Sequence, residues 1–376
     1  FQDSGIPFEV WDVHRIYMPR RQVIQEDVDD LVYRRFESEK ALEIACLNLT
    51  PQTAVVTLCG MMSKQEYQYH GLREALLGSS AAVGAVYAST RPPEISLITT
   101  AGVPRRLARL IASVLHGRLP ARHLRQRTRE LILGRRRGRQ SAGRNCLVWE
   151  WTGPGKSPVD PTLINPVTRR RRLHTWDYDS ELKYPTPRGQ REGMVFLESM
   201  GPLHPDFVTL GIPTYVSAEV WFRYIREELS ILQSFSGRSI TIAAHPRADS
   251  GFLEEWYAPF PVTYGRTREL IARAEVVVAA EPSTALGLCA LYETPVHILD
   301  PMPLYPGHLE QLESYCRTLG VTRTTGSALQ ANWFPSPGSA KHKEFVDAFM
   351  KEPGSVDEPF WHSVIGDICA KTSWQR

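Results

Sequence analysis

The second half of the chain contains a histidine whose position suits proton transfer or phosphate binding. Residues 239–244 form a short, β-rich apolar run that ends at His245, Pro246 and Arg247. Because a residue that precedes proline is disfavoured in a helix, His245 is expected at the carboxyl end of a strand. Loops at such strand ends carry the chemistry in parallel α/β sheets. The alternative is that His245 makes only a structural hydrogen bond.

A pair of hydroxyl side chains follows a second apolar run. Residues 275–280 read as a buried parallel strand, and Ser283 and Thr284 then precede an apolar helical run at 285–291. Two hydroxyls, the free N–H groups and the positive dipole at a helix N-terminus together suit a phosphate. Ser283 could instead serve only as the helix cap, as most such residues do.

The combination of these motifs resembles a known family. His-Pro-Arg at 245–247, Gly-Arg-Thr leading into a helix at 265–267, and Ser-Thr at 283–284 are similar to motifs in the C-terminal domain of GT-B glycosyltransferases that use CMP-activated sugars. Bacterial sialyltransferases and Kdo transferases have such His-Pro and Ser-Ser or Ser-Thr motifs. The sequence most resembles bacterial capsule and lipopolysaccharide biosynthesis proteins, over about residues 193–300.

The resemblance implies a role for each of these residues. His245 would hydrogen-bond or protonate the leaving phosphate, Ser283 and Thr284 would bind it, and Arg247 and Thr267 would support the nucleotide. A CMP-sugar leaves a single phosphate, which helix amides, hydroxyls and an imidazole can stabilise. The expected activity is therefore inverting transfer of Kdo or a sialic-acid-like sugar, with the CMP-sugar as substrate and with neither a metal nor another cofactor.

Inverting transfer also requires a general base, which is usually a carboxylate in the cleft. Glu198, in the segment Glu-Ser-Met-Gly, is the nearest match to the acidic motif of related sialyltransferases, although it lacks their doubled acid. Asp206 is a second catalytic candidate. Asp177 and Asp179 are expected in a loop after a strand and could contact the acceptor sugar or act as the base, and His204 could contact acceptor or phosphate. Asp177 and Asp179 also have the spacing of a metal-binding Asp-x-Asp triplet, and they could equally be turn residues.

Length and composition indicate two domains. The chain has 376 residues, of which 42% are hydrophobic, so it can bury more core than one ordinary domain. Alternating strand and helix patterns predict an α/β fold with a parallel sheet whose faces are covered. The resemblance implies the GT-B class, with two Rossmann-like domains whose parallel sheets face a central cleft. A stretch at 184–190 that is rich in proline and glycine separates an acceptor-binding domain, 1–187, from a nucleotide-sugar-binding domain, 188–376. The tail is expected to form helices that cross back to the first domain.

The beginning of the chain resembles an interrupted nucleotide-binding fold. Residues 5–13 read as its second strand, so the first strand would precede Phe1, and residues 28–45 are compatible with a helix. Further strands are predicted at 53–59 and 82–87.

Positive charge is concentrated in one segment, 103–144. Thirteen arginines and one acid, Glu130, lie between Arg105 and Arg144, whereas the whole chain has a net charge of only +3. The first part has the spacing of an amphipathic helix, which could lie on an anionic membrane or pack as an ordinary surface helix. Nucleic acid is a poor candidate, because no aromatic residue interleaves the arginines.

Cysteine usage and hydropathy favour a cytoplasmic protein. Six scattered cysteines form neither a zinc motif nor a disulfide framework, and no apolar run is long enough to span a membrane. The expected protein is peripheral on the inner membrane, with a glycan or lipid-linked acceptor. The competing possibilities are a transferase or epimerase that uses a UDP-sugar, a polymerase that uses CDP-glycerol, and a non-catalytic membrane scaffold.

Overall fold

A computed structural model describes most of the chain outside the basic segment. The described residues are 6–13, 16, 33–58, 61–63, 69–89, 146–155, 157–204, 216–248, 251–300, 306–325 and 340–372. The predicted basic amphipathic helix and Asp206 therefore lie outside the described residues. No helix within the described ranges is both long and apolar enough to cross a membrane.

The first part of the described chain forms two parallel sheets. A two-stranded sheet pairs β1 with β2, and a four-stranded sheet has the order β3-β4-β5-β6. The elements in chain order are β1 (Val10–Asp12), β2 (Tyr33–Arg35), α1 (Glu39–Leu47), β3 (Ala54–Leu58), α2 (His70–Gly78), β4 (Ala82–Tyr87), β5 (Trp149–Thr152), β6 (Arg169–Arg172) and α3 (Trp176–Lys183).

Two sequence expectations for this region were wrong in detail. The strand near the beginning does form, but it belongs to the separate two-stranded sheet, and part of the predicted helix at 28–45 is the strand β2. Asp12 holds that pair together, since its carboxylate accepts hydrogen bonds from Tyr33 at 2.8 Å and Arg35 at 3.2 Å. The helix begins only after Ser38, whose hydroxyl oxygen accepts from the amide of Ala41.

The second part of the described chain forms a six-stranded parallel sheet. Its elements are β7 (Met194–Leu197), α4 (Ala218–Ser236), β8 (Ile240–Ala243), α5 (Phe252–Tyr257), β9 (Val262–Thr263), α6 (Thr267–Arg273), β10 (Val276–Ala279), α7 (Ala285–Leu291), β11 (Val296–Leu299), α8 (Pro306–Leu319) and β12 (Arg323–Thr324).

The strand order of this sheet locates a potential binding crevice. Across the described strands the order is β9-β8-β7-β10-β11-β12, which is the Rossmann order 3-2-1-4-5-6 when strands are counted along the chain. The direction of winding reverses between β7 and β10. Ligands of such sheets bind outside the carboxyl ends of the strands at this switch point.

The strands at the switch point are buried on both faces. Every residue of β7, β10 and β11 is buried, as expected for a parallel sheet that is covered by helices. One face packs against Phe222 and Leu229 of α4, and the other packs against Leu286 and Cys289 of α7. Cys289 is a fully buried, small core residue, and this burial raises the pKa of its thiol.

Two helices complete the described chain, α9 (Ala340–Phe349) and α10 (Phe360–Thr372). Phe345 of α9 packs in the core of the second sheet, whereas Phe360 and Val364 of α10 pack against β4 and β5 of the first. The indole N–H of Trp151 donates to Asp367 at 2.8 Å. The tail therefore packs on both sheets.

The predicted α/β class with parallel sheets is confirmed, and the six-stranded sheet has the Rossmann strand order. The domain boundary after residue 187 stays a prediction.

Candidate functional site

Three segments that the sequence singled out meet at the switch point. Leu197, the last residue of β7, pairs with Ala243 of β8 on one side and with Ala279 of β10 on the other. The carboxyl ends of the three strands are thus level. The loops that follow them place Glu198, His245 and Glu281 at one edge of the sheet.

Glu198 binds backbone groups of two loops. Its Oε1 accepts a hydrogen bond from the amide of Met200 at 2.6 Å, and its carboxylate also accepts from the backbone of His245. The hydroxyl of Tyr257 lies 3.4 Å from the same oxygen. Oε2 is buried and has no hydrogen-bond partner among the residues that the structure describes. The side chain therefore fixes the loops after β7 and β8 relative to each other.

Burial changes the protonation of Glu198. The residue is only 5% exposed, and burial raises the pKa of its carboxyl to about 7. The negative charge of Glu281 raises it further, whereas the amide of Met200 opposes the shift. A carboxyl group that titrates near neutral pH is a candidate acid or base.

The loop after β7 has an uncommon backbone conformation. Met200 has φ 64°, and Gly201 has φ 46° with no space for a side chain, since a Cβ there would lie 2.3 Å from Nε1 of Trp221. A 3₁₀ turn at Gly201–Leu203 follows and leads to His204. The ring of His204 packs edge-on against His245, with centroids 5.0 Å apart. The structure thus brings two of the predicted site histidines together.

The hydrogen bond of His245 determines which of its nitrogens carries the proton. Nδ1 accepts from the amide of Arg247 at 3.2 Å, so the neutral ring carries its proton on Nε2. This geometry makes Nε2 a hydrogen-bond donor for a phosphate oxygen. Arg247 itself is exposed in the turn after His245.

The hydroxyl pair lies directly after β10, at the beginning of α7. The Oγ of Ser283 accepts from the amide of Ala285 at 3.2 Å, whereas Thr284 makes no capping hydrogen bond through its side chain. Ser283 thus serves as a local cap, and its O–H remains a donor. Thr267 begins α6 after the edge strand β9, which is two strands from β7.

The two predicted acceptor aspartates lie in the first part of the chain. They belong to the first turn of α3, so the prediction of a loop after a strand was wrong at Asp177 and Asp179. Asp179 accepts hydrogen bonds from His174 at 3.0 Å and from the amide of Phe360 at 2.5 Å. Burial alone would raise the pKa of Asp179, but these hydrogen bonds hold it below its ordinary value. This carboxylate therefore links α3 to α10.

A second buried carboxylate at the switch point was missed by the sequence argument. Glu281 is 5% exposed, and it accepts a hydrogen bond from the hydroxyl of Ser199. Nδ1 of His308, in the first turn of α8, lies 3.6 Å from its Oε1. The signal for Glu281 was its position directly after the buried strand; no local pattern indicated His308.

Among the described residues, no group of three histidine, cysteine or acidic side chains is arranged to hold a metal ion. The cluster can instead bind an anion through imidazole and hydroxyl donors, and it contains a carboxyl group poised for proton transfer.

Comparison with known proteins gives only weak matches. No protein-family model and no curated protein matches the chain. Among solved structures, the glycotransferase of kitacinnamycin resembles it with a TM-score of 0.39 at 12% identity, over 84% of this chain and 75% of that chain. The spinosyn forosaminyltransferase SpnP matches with a TM-score of 0.32 at 10% identity, over 84% and 70%. KpsC of Thermosulfurimonas dismutans, a β-Kdo 2,7 transferase, matches with a TM-score of 0.25 at 10% identity, over 56% and 77%. We draw no conclusion about activity from likenesses this low.

Proposed function

We propose that this chain is an inverting, metal-independent GT-B glycosyltransferase that moves a Kdo or sialic-acid-like sugar from a CMP-sugar to a bacterial surface glycan or lipid-linked acceptor. The observation that supports it most is the cluster of His245, Glu198 and Glu281 at the switch point of a Rossmann-ordered sheet. The enzyme would act at the cytoplasmic side of the inner membrane, where the basic segment 103–144 would contact anionic lipid.

The chemistry assigned to the site is displacement at the anomeric carbon of the donor sugar. The bond from that carbon to the phosphate oxygen of CMP breaks while the acceptor oxygen bonds to the carbon, and the acceptor proton passes to a base. The leaving phosphate gains charge, which Nε2–H of His245 and the hydroxyls of Ser283 and Thr284 would stabilise, with Arg247 and Thr267 at the nucleotide.

Two carboxylates remain candidates for the base. Glu198 has a pKa near 7, which suits proton transfer at neutral pH, although its carboxyl is buried. Asp206 is the second candidate. In this proposal His204 contacts the acceptor from beside His245, and Asp177 contacts it from helix α3. Asp179, which the sequence also offered as an acceptor contact, instead accepts hydrogen bonds from His174 and from the amide of Phe360.

The first test is thermal unfolding of the protein with CMP, CDP, UMP, UDP and GDP, each with and without magnesium. A ligand at about a hundred times its Kd stabilises the fold by about 2.7 kcal/mol. We expect stabilisation by CMP that does not depend on magnesium and that the His245→Ala variant loses. The matched control is His362→Ala, at an exposed position of α10.

The other outcomes distinguish the alternatives. Stabilisation by UDP without CMP would reject the CMP-sugar donor in favour of a UDP-sugar enzyme. Transfer of glycerol phosphate from CDP-glycerol also releases CMP, but its donor carries two phosphates, so stabilisation by CDP that exceeds stabilisation by CMP would favour that reaction. A third outcome is that none of the five nucleotides stabilises the protein, while both the wild type and His245→Ala bind anionic vesicles. This result would reject a transferase in favour of a membrane scaffold.

A further inference from the structure

We propose that His308, whose Nδ1 lies 3.6 Å from Oε1 of Glu281, is an additional binding group of the donor site and contacts the nucleotide phosphate through its imidazole ring. This inference rests on the proposed function, since it assigns a residue to the same nucleotide site. His308 was not among the residues that the motifs identified, and it reaches the site only through the fold.

The position of His308 follows from the strand order. Ala279 at the end of β10 pairs with Ile298 of β11, so the loops that leave these strands lie side by side at the carboxyl edge of the sheet. Glu281 is in the first loop, and His308 is in the first turn of α8, which follows the second. The histidine is therefore next to the loop that carries Ser283.

The carboxylate of Glu281 adds negative charge at the strand ends where the phosphate would bind. Its buried carboxylate is close enough to Glu198 for its charge to raise the pKa of that carboxyl. A phosphate brought to the same strand ends would be repelled by two ionised carboxylates. A proton on Glu198 removes one of the negative charges. Among the described residues, the one basic side chain within 4.0 Å of the Glu281 carboxylate is His308.

The exposure of the His308 side chain favours a role in ligand binding over a role that only neutralises the charge of Glu281. Its side chain is 33% exposed, whereas Glu281 is nearly buried. The ring thus has one nitrogen directed to Glu281 and part of its surface open to solvent at the edge where ligands of Rossmann sheets bind. An N–H of the imidazole on that open surface can donate a hydrogen bond to a phosphate oxygen.

The test compares nucleotide with nucleoside. Titration calorimetry on the full chain gives the Kd of CMP and of cytidine, which lacks the phosphate, for the wild type, His308→Gln and the control His362→Gln. If another nucleotide of the thermal panel binds instead, that nucleotide and its nucleoside replace the pair. We expect His308→Gln to weaken CMP about tenfold without changing cytidine, and His362→Gln to change neither.

A second variant tests the link to Glu281. Glu281→Gln removes the carboxylate next to the His308 ring, so in that background His308→Gln should weaken CMP binding by less than about threefold. Equal losses for CMP and cytidine would show that His308 only supports the fold, and an unchanged CMP affinity would show no contact; either result overturns the inference. If wild-type protein binds nucleotides but His308→Gln has no effect, the proposed function survives and only this inference fails. Absence of nucleotide binding by the wild type rejects both.

Discussion

Two histidine–carboxylate clusters in the described part of the chain differ in their exposure to solvent. In one, His174 is fully buried, and its Asp179 partner also binds the amide of Phe360, so the cluster joins α3 to α10. In the other, Glu281 is buried at the switch point while its neighbour His308 is one-third exposed. Both pairs contain the same chemical groups. A pair whose polar atoms bind other parts of the fold favours stability, whereas a pair at an open strand end can also bind a ligand.

The largest expected effect is at the loop of the switch-point cluster. Gly201→Ala should destabilise the protein by about 4 kcal/mol, because its Cβ would overlap the Trp221 ring and its φ is positive. Gly237→Ala is the control, since its φ is 68° but no atom lies within 4 Å of the added Cβ, and it should cost only about 1 kcal/mol. Urea unfolding measures both. Equal costs would contradict the packing that we describe around Gly201.

The second-largest expected effect comes from removing the carboxylate of the buried His174–Asp179 pair. Asp179→Ala leaves the amide of Phe360 and the ring of His174 without their acceptor, which should cost about 3 kcal/mol of unfolding free energy. Asp179→Asn keeps an acceptor oxygen and should cost markedly less. Nucleotide affinity of the folded variants should stay within about twofold of wild type. A large loss of nucleotide affinity in Asp179→Ala, with stability intact, would contradict the structural role of the His174–Asp179 pair.

A third prediction concerns pH and Glu198. Its folded pKa of about 7 is above the ordinary value of 4.5, so its contribution to stability is complete below the unfolded pKa and is lost as pH rises through the folded pKa. Glu198→Gln cannot ionise and should gain about 2 kcal/mol relative to wild type between pH 5 and pH 8. Urea unfolding across that range measures the gain. A difference that does not vary with pH would mean that Glu198 is ionised throughout.

The smallest expected effect is at an exposed ion pair near the His174–Asp179 pair. Lys351 lies 2.8 Å from Asp357, and this contact lowers the pKa of the Asp357 carboxyl. Because Asp357 is 57% exposed, Asp357→Asn should cost less than about 1 kcal/mol, and the cost should shrink in 1 M salt. A cost that resists salt would show that this pair belongs to the buried structure around His174.

Much of the local structure was predictable because it depends on short-range patterns. The apolar runs at 239–244 and 275–280 predicted β8 and β10, and the helical run at 285–291 predicted α7 to its ends. Asp177 and Asp179 were misplaced because the strand before them ends at Arg172 and Thr175 then begins α3. Local polarity did not distinguish a helix start from a loop there.

The sequence by itself determined that His245, Ser283 and Glu198 follow buried strands, because continuous runs rich in valine, isoleucine and alanine are typical of strands that are buried on both faces. Only the tertiary structure decided which strands are neighbours. The return of β10 to the side of β7 placed Glu281 beside Ser199, and the position of α8 then brought His308 to it. Local periodicity cannot encode these contacts, because the crossover connections and the packing of helices on both faces fix strand order and bring distant loops to one edge.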